Sequence, residues 1–258
     1  MKHKKALKTK LSIFLTCLLL IMQEAFAGMT ISGTRIIFPA NQREYSVRTT
    51  NKGEVPLLAQ VWIDDGSKSD DINKMKVPFA VTPPVFRIEP GKGQSVRLIY
   101  NGMQLPQDRE SVFWFNLLEI PPVNEKDEDS DRIELAFRTR IKIFYRPAIL
   151  KSDSTFEIGR VKWQIIPPAK GIKVINPTPY YLSFDNAYIK SGGKSIPLVT
   201  DMVEPFGSKE MLIENKSINP AIIDNVTVRL INDYGSALEY KLVPLKGGNL
   251  LEIKKDNQ

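Results

Sequence analysis

Cysteine and histidine are almost absent from this sequence of 258 residues. Its one cysteine is Cys17 and its one histidine is His3, so both lie in the first 27 residues. The rest of the chain therefore has no Ser-His-Asp triad, no cysteine nucleophile, no histidine base and no Cys/His zinc site. Without disulfides, it must also be stabilised by its hydrophobic core alone. Carboxylate chemistry and hard-metal sites remain open.

The first 27 residues have the pattern of an export signal. Five lysines form a basic start, and an apolar run follows over residues 11–22. That run is shorter than the roughly 20 residues that a membrane-spanning helix needs. The AFA triplet at residues 25–27 supplies the small residues that a signal peptidase requires. We predict cleavage after Ala27 and no membrane anchor, with a retained anchor as the less favoured alternative.

Once the signal is set aside, the sequence also lacks a strong excess of positive over negative residues. Five of the 36 Lys and Arg residues and one of the 29 Asp and Glu residues lie within it, so the net charge falls from +7 to +3. A basic surface large enough for nucleic acid is therefore not indicated. We expect no nucleic-acid partner.

Sustained helical periodicity is not found beyond the signal. Short apolar segments alternate with turns instead, at the spacing typical of a β-sandwich. The predicted strands span residues 55–63, 96–100, 112–120, 133–145, 160–166, 172–175, 180–184, 210–213, 226–231 and 238–243. The pattern resets at a linker over residues 151–154. We predict an all-β protein with domains at 28–150 and 151–258.

Motifs for cofactors and metal ions are weak. Residues 91–95, GKGQS, lack the spacing of a phosphate-binding loop and lie between predicted strands. Asp65, Ser67, Ser69 and Asp71 alternate as in a calcium loop, but glycine and glutamate are missing from its sixth and twelfth positions. Solvated turns explain both segments, and we expect no cofactor and no metal ion.

The longest predicted strand, residues 133–145, has one apolar face. Ile133, Leu135 and Phe137 occupy alternate positions, so their side chains share a face of an extended strand. An ordinary half-buried strand is one interpretation. The other is an edge strand offered to a second chain, because exposed apolar edges are otherwise avoided and strand addition is their natural use.

Residues 105–122, LPQDRESVFWFNLLEIPP, resemble the identifying motif of the periplasmic pilus chaperones of the chaperone–usher pathway. Other segments agree with the family in the same order: TRIIF at 34–38, AVTPP at 80–84, IKIFYRP at 141–147, NPTPYY at 176–181 and INDYG at 231–235. The resemblance covers nearly the whole chain after the signal. The segment between residues 122 and 133 is short and a cysteine pair is lacking. In both features the sequence resembles the short-loop branch of the family.

The resemblance implies two immunoglobulin-like β-sandwich domains set at an angle, with a cleft between them. It implies a non-enzymatic chaperone of the periplasm that caps pilin subunits by donor-strand complementation and delivers them to the outer-membrane usher. That mode is one of the established forms of strand addition. The free chaperone could also associate with itself through its exposed donor strand, and the sequence does not decide between the two states.

The family also implies roles for particular residues. Arg35 and Lys142 match the basic pair that binds the C-terminal carboxylate of a pilin subunit. The residues that match the donor strand are Ile133, Leu135 and Phe137, and those that match an interdomain ion-pair network are Glu110, Arg146 and Asp233. In a regular strand Lys142 faces away from the donor residues. A bulge, a strong twist or a different division of roles is needed to reconcile the two sets.

Two other functions fit an exported all-β chain. A glycosidase with paired carboxylates on a β-sandwich is one, although the acidic residues lie mainly in predicted loops without aromatic residues beside them. A pilus subunit or adhesin is the other. A subunit would lack its own final strand, whereas both halves of this sequence look complete.

Overall fold

The computed structural model describes residues 28–67, 75–122, 135–215, 222–246 and 248–254. The predicted export signal lies outside the described residues. The strands are β1 Met29–Ile31, β2 Arg35–Pro39, β3 Glu44–Asn51, β4 Leu57–Asp64, β5 Phe79–Thr82, β6 Val85–Ile88, β7 Gly93–Tyr100, β8 Ser111–Ile120, β9 Phe137–Arg146, β10 Lys162–Ile166, β11 Gly171–Ile175, β12 Phe184–Ser191, β13 Lys194–Pro197, β14 Ser208–Leu212, β15 Asn225–Ile231, β16 Ala237–Pro244 and β17 Leu250–Ile253. A 3-10 helix spans Ser154–Arg160. The all-β prediction is confirmed.

Strands β1 to β9 form a sandwich of two sheets, ordered β1-β3-β7-β5 and β2-β9-β8-β4-β6. Alternate side chains of β8, such as Phe113, Phe115 and Leu117, point into the space between the sheets and are buried. Phe38 is fully buried, and its ring lies 4.9 Å from that of Phe79 on the opposite sheet. Each such side chain contributes roughly 1.5–3 kcal/mol when it is fully buried.

Strands β10 to β17 surround a second, separate core. Their sheet is continuous, ordered β13-β12-β15-β16-β17-β10-β11-β14, and β17 joins its two halves by pairing with both β16 and β10. Buried residues from both halves, including Val174 and Val228, share this core. A bridge between Leu198 and Ile213 brings the ends of the sheet together. The sheet therefore folds over on itself around the core.

The segment predicted as a linker is tightly held. Asp153 caps the 3-10 helix, because its Oδ1 accepts a hydrogen bond of 2.8 Å from Thr155 N. Its other oxygen accepts from Asp233 N at 3.0 Å. Ser152 N donates to the Tyr180 hydroxyl. The helix, which the sequence analysis missed, is too short to show helical periodicity.

The prediction of a strand over residues 180–184 was wrong. Tyr180 to Ser183 form a bend with a single bridge at Leu182, and β12 begins only at Phe184. The Asn176 side chain holds this bend in place, since its Nδ2 donates to Tyr180 O at 2.7 Å. Two prolines precede the bend and cannot donate to a β-ladder.

Strand β9 has an edge that is only partly covered. It pairs with β8 over Phe137 to Tyr145, whereas β2 covers its other side only from Lys142 onward. Residues 137–141 therefore have no strand on that side in the described part of the chain. We call these five residues the open edge of β9.

The strand begins later than predicted. Leu135 is described but lies outside β9, and Ile133 lies outside the described residues. The register with β8 places Pro121 opposite Leu135. Pro121 has no N–H to donate, so it is not a regular ladder partner for Leu135.

Candidate functional site

Arg35 and Lys142 lie side by side at the end of the open edge. They are directly paired in the parallel ladder between β2 and β9, and both side chains are half-buried. Arg35 Nη1 donates to Ile231 O of the second domain at 3.0 Å, and its guanidinium carbon lies 5.6 Å from the centre of the Phe144 ring. Among the described residues, nothing accepts a hydrogen bond from Arg35 Nε, which is buried.

The electrostatics of this pair favour an anion. Burial lowers the pKa of Lys142, and the charge of Arg35 lowers it further. Burial also lowers the pKa of Arg35, against the opposite effect of nearby carboxylates such as Asp233. Two cations that are partly removed from water and close together are stabilised when a carboxylate binds between them. The pair therefore has the charge and the partial burial that favour a bound anion.

A second cluster joins the two domains through Arg146. Its Nε donates to Glu110 Oε1 at 2.8 Å, and its two Nη atoms both donate to the carboxylate of Asp233. Tyr181 N donates to Glu110 Oε2 at 2.8 Å. Only 1% of the Glu110 side chain is exposed. The contacts link strand β9 of the first domain to the turn after β15 in the second.

Burial and charge act in opposite directions within this cluster. Burial raises the pKa of Glu110, whereas the charge of Arg146 and the hydrogen bond from Tyr181 N lower it. Burial acts to lower the pKa of Arg146, but hydrogen bonding to Asp233 and the charge of Glu110 raise it overall. Because Arg146 stays charged, loss of either acid would leave it with a single acidic partner in a poorly solvated place.

Lys142 and Phe137 face opposite ways in β9, as the parity of their positions predicts. The register with β8 is unbroken from Phe137 to Tyr145, so no bulge intervenes. Lys142 and Arg146 lie on the outer face, which meets the second domain. Phe137 lies on the inner face with Ile143, but it is 63% exposed whereas Ile143 is fully buried. Lys142 and Phe137 therefore lie on different faces of one strand.

The outer face carries further charged residues that the sequence analysis missed. Arg138 and Arg140 precede Lys142 at alternate positions, and both reach Asp64 on β4, which is 3% exposed. The alternation of three cations along one strand was a visible signal. No sequence signal indicated their acidic partner, because Asp64 is 74 residues from Arg138.

Groups that could hold a metal ion do not cluster. Within the described ranges, no three His, Cys, Asp or Glu side chains come together. Those ranges also contain no helix with the length and apolar character to cross a membrane.

Comparisons with known proteins agree with this architecture. Residues 28–151 match the family described as the pili and flagellar-assembly chaperone, PapD N-terminal domain, and residues 157–242 match the pili assembly chaperone PapD, C-terminal domain. The chain is 41% identical to the probable fimbrial chaperone YadV of Escherichia coli K12 over 92% of its length and 96% of that protein. It is 36% identical to the chaperone HifB of Haemophilus influenzae, covering 91% and 97% of the two chains.

Solved structures show the same likeness. The crystal structure of the YadV chaperone superposes with a TM-score of 0.71 at 39% identity, covering 84% of this chain and all of that one. A chain from the complex of the Salmonella enterica SafB chaperone with the SafA pilin gives a TM-score of 0.70 at 26% identity, covering 86% and 98%. With both domains matched in order, this chain belongs to the PapD family of pilus-assembly chaperones.

Proposed function

We propose that this chaperone binds a pilin subunit along the open edge of β9 and holds the subunit's C-terminal carboxylate between Arg35 and Lys142. The observation that carries the proposal is the position of the cation pair, at the residue where the open edge ends. An extended segment could pair with residues 137–141 and end at the two cations. Charge-assisted hydrogen bonds to such a carboxylate contribute roughly 1.5–3 kcal/mol each.

This arrangement determines the direction of the bound strand. Strand β2 already covers β9 beyond Lys142, so a second strand on the same edge must stop where β2 begins. A strand whose carboxyl end lies at Lys142 runs in the same direction as β9. The proposed subunit strand is therefore parallel to β9 and in line with β2.

The apolar donor residues supply the rest of the binding energy. Leu135 and Phe137 are 64% and 63% exposed, which is unusual for large apolar side chains next to a strand edge. We assign them, together with Ile133, to the groove that an incomplete subunit would present. Burying each side chain contributes roughly 1.5–3 kcal/mol. Exposure of the same residues also allows the free chaperone to associate with itself.

The wider role follows from the family and from the sequence. We place the chaperone in the periplasm after cleavage at Ala27, with domains at 28–150 and 151–258, and with delivery of the subunit to an outer-membrane usher. We assign it no catalytic activity and no cofactor. Replacement of its donor residues by the next subunit's own extension would then drive release. The Glu110–Arg146–Asp233 cluster keeps the two domains in place around the cleft.

Charge reversal at Lys142 tests the proposal. We expect Lys142→Glu to abolish recovery of a co-expressed pilin subunit from the periplasm, while circular dichroism and thermal unfolding of the chaperone stay unchanged. Lys92→Glu, at an exposed residue just before β7 in the sheet that contains neither β2 nor β9, is the matched control. Normal recovery of the subunit with Lys142→Glu would overturn the proposal.

A further inference from the structure

Glu119 is a buried acid near the end of β8. It is 7% exposed and lies on the same face of the strand as the core residues Phe115 and Leu117. In the part of the chain that the structure describes, no lysine or arginine side chain forms an ion pair with its carboxylate. A buried carboxylate without a cation is costly, because it loses hydration that nothing else replaces. A positively charged partner would therefore stabilise it.

The first residues of β1 lie against this carboxylate. Met29 N donates to Glu119 Oε2 at 2.9 Å. A Cβ atom on Gly28 would be only 2.1 Å from the same oxygen, so the backbone approaches the acid closely at a residue without a side chain. Lys52 N donates to Gly28 O at 2.9 Å and holds the residue from the other strand. Since Gly28 N is two bonds from that Cβ position, it lies within about 5 Å of Glu119 Oε2.

The proposed cleavage after Ala27 changes the chemistry of Gly28 N. Before cleavage this nitrogen belongs to an uncharged peptide bond. Hydrolysis of the bond consumes one water, whose oxygen enters the new carboxylate of Ala27 and whose two protons go to Gly28 N. The product is an α-ammonium, which is charged at neutral pH because the ordinary pKa of this group is about 7.7–8.0.

We propose that the α-ammonium released by cleavage pairs with Glu119 and thereby stabilises the first domain. The inference rests on the proposed cleavage after Ala27 and goes beyond it, because it couples processing of the chain to the stability of the mature chaperone. Glu119 is the direct partner of Phe137 in the ladder between β8 and β9, whereas β1 belongs to the opposite sheet. The ion pair therefore joins the two sheets at the end of the sandwich where the open edge of β9 begins.

Extension of the N-terminus tests the inference. The mature chaperone is prepared with Gly28 as its first residue, and with one or two alanines added before Gly28, by a protease that leaves the chosen first residue. Each added residue can move the ammonium by up to about 3.5 Å. We expect either extension to raise the equilibrium constant for unfolding in urea about ten- to a hundredfold, as loss of a charge-assisted contact would.

Two variants separate the effect of charge from that of bulk. Glu119→Gln keeps the size of the side chain and removes its charge, so the extensions should change its unfolding constant by less than about twofold. Glu44→Gln removes an exposed acid that pairs with Arg97 on the surface, and it should keep the full effect. If Glu119→Gln does not fold, selective transamination of the N-terminus replaces it. That reaction turns the α-ammonium into a carbonyl without adding a residue, and it should destabilise the wild-type chain as the extensions do.

Equal stability of the three wild-type forms would overturn the inference, as would an equal loss in Glu119→Gln or no loss on transamination. Each of these results would leave the proposed cleavage and the proposed binding of a subunit standing. A periplasmic chaperone whose intact mass does not match a chain beginning at Gly28 would instead contradict the proposed cleavage, and this inference with it.

Discussion

Arg35 on β2 and Lys142 on β9 are direct neighbours in a parallel strand pair, at the residue where the open edge of β9 ends. Neighbouring strands are about 4.8 Å apart, so the two cations repel each other in the free protein. Their surroundings reduce hydration without supplying a carboxylate to Arg35 Nε in the described structure. In the proposed function, a bound carboxylate would relieve this repulsion, and its position would determine where the rest of the bound strand lies.

As the pH rises, binding of a carboxylate should weaken at a lower pH than the ordinary pKa of lysine predicts. Burial and the charge of Arg35 lower the pKa of Lys142, so the ammonium loses its proton below the usual value of about 10.4. Affinity for a carboxylate is full below that lowered pKa and falls as the pH rises through it. Calorimetric titration of a peptide with a free C-terminus from pH 7 to pH 11 measures the midpoint.

Lys142→Arg is the control for this pH dependence, because arginine stays charged throughout the range. We expect the variant to bind the same peptide with little change in affinity up to pH 11. A wild-type midpoint at or above the ordinary lysine value would contradict the account of Lys142.

Removing Asp233 should destabilise the protein far more than removing an exposed acid. Asp233→Ala leaves the buried Arg146 with one acid instead of two, and breaking a buried pair costs about 3–5 kcal/mol. Asp201 pairs with Lys209 at the surface, and both side chains are about half exposed, so Asp201→Ala should cost less than about 1 kcal/mol. Urea unfolding measures both. Similar free energies of unfolding for the two variants would show that Arg146 does not join the domains as described.

Phe137 and Ile143 share one face of β9 and should give opposite results when truncated. Phe137→Ala removes an exposed side chain, so the free energy of unfolding should change by less than about 0.5 kcal/mol. Recovery of a co-expressed subunit should fall severalfold. Ile143→Ala creates a cavity in the core and should cost about 2–5 kcal/mol of stability. A Phe137→Ala chaperone that is destabilised yet retains its subunit would reverse the assignment.

Much of the fold could be predicted from sequence because strand signals are local. Short apolar segments that end at turns located β4 and β8 to within a few residues, and alternation of apolar residues located β9. The missing helical periodicity indicated an all-β chain. The start of β9 was placed too early because alternation continues to Ile133. In the described structure β9 begins where its pairing with β8 begins, at Phe137, and Pro121 lies just beyond that pairing.

The site was harder to predict from the sequence, because its contacts join distant parts of the chain. Arg146 and Asp233 are 87 residues apart, and only the family resemblance brought them together with Glu110. The role of Asp64 was hidden for the same reason. Its neighbours in sequence predicted a solvated turn, whereas its carboxylate is buried under two arginines of β9.

Hydrogen–deuterium exchange at the open edge of β9 tests the central claim most directly. Alternate amides of residues 137–141 point away from β8 and have no strand to accept their hydrogen bonds, so they should exchange rapidly in the free chaperone. In a purified complex with a pilin subunit they should become strongly protected, while amides of β9 covered by β2 should change little. Unchanged rapid exchange of those edge amides in the complex would contradict the claim that the subunit binds there as an added strand.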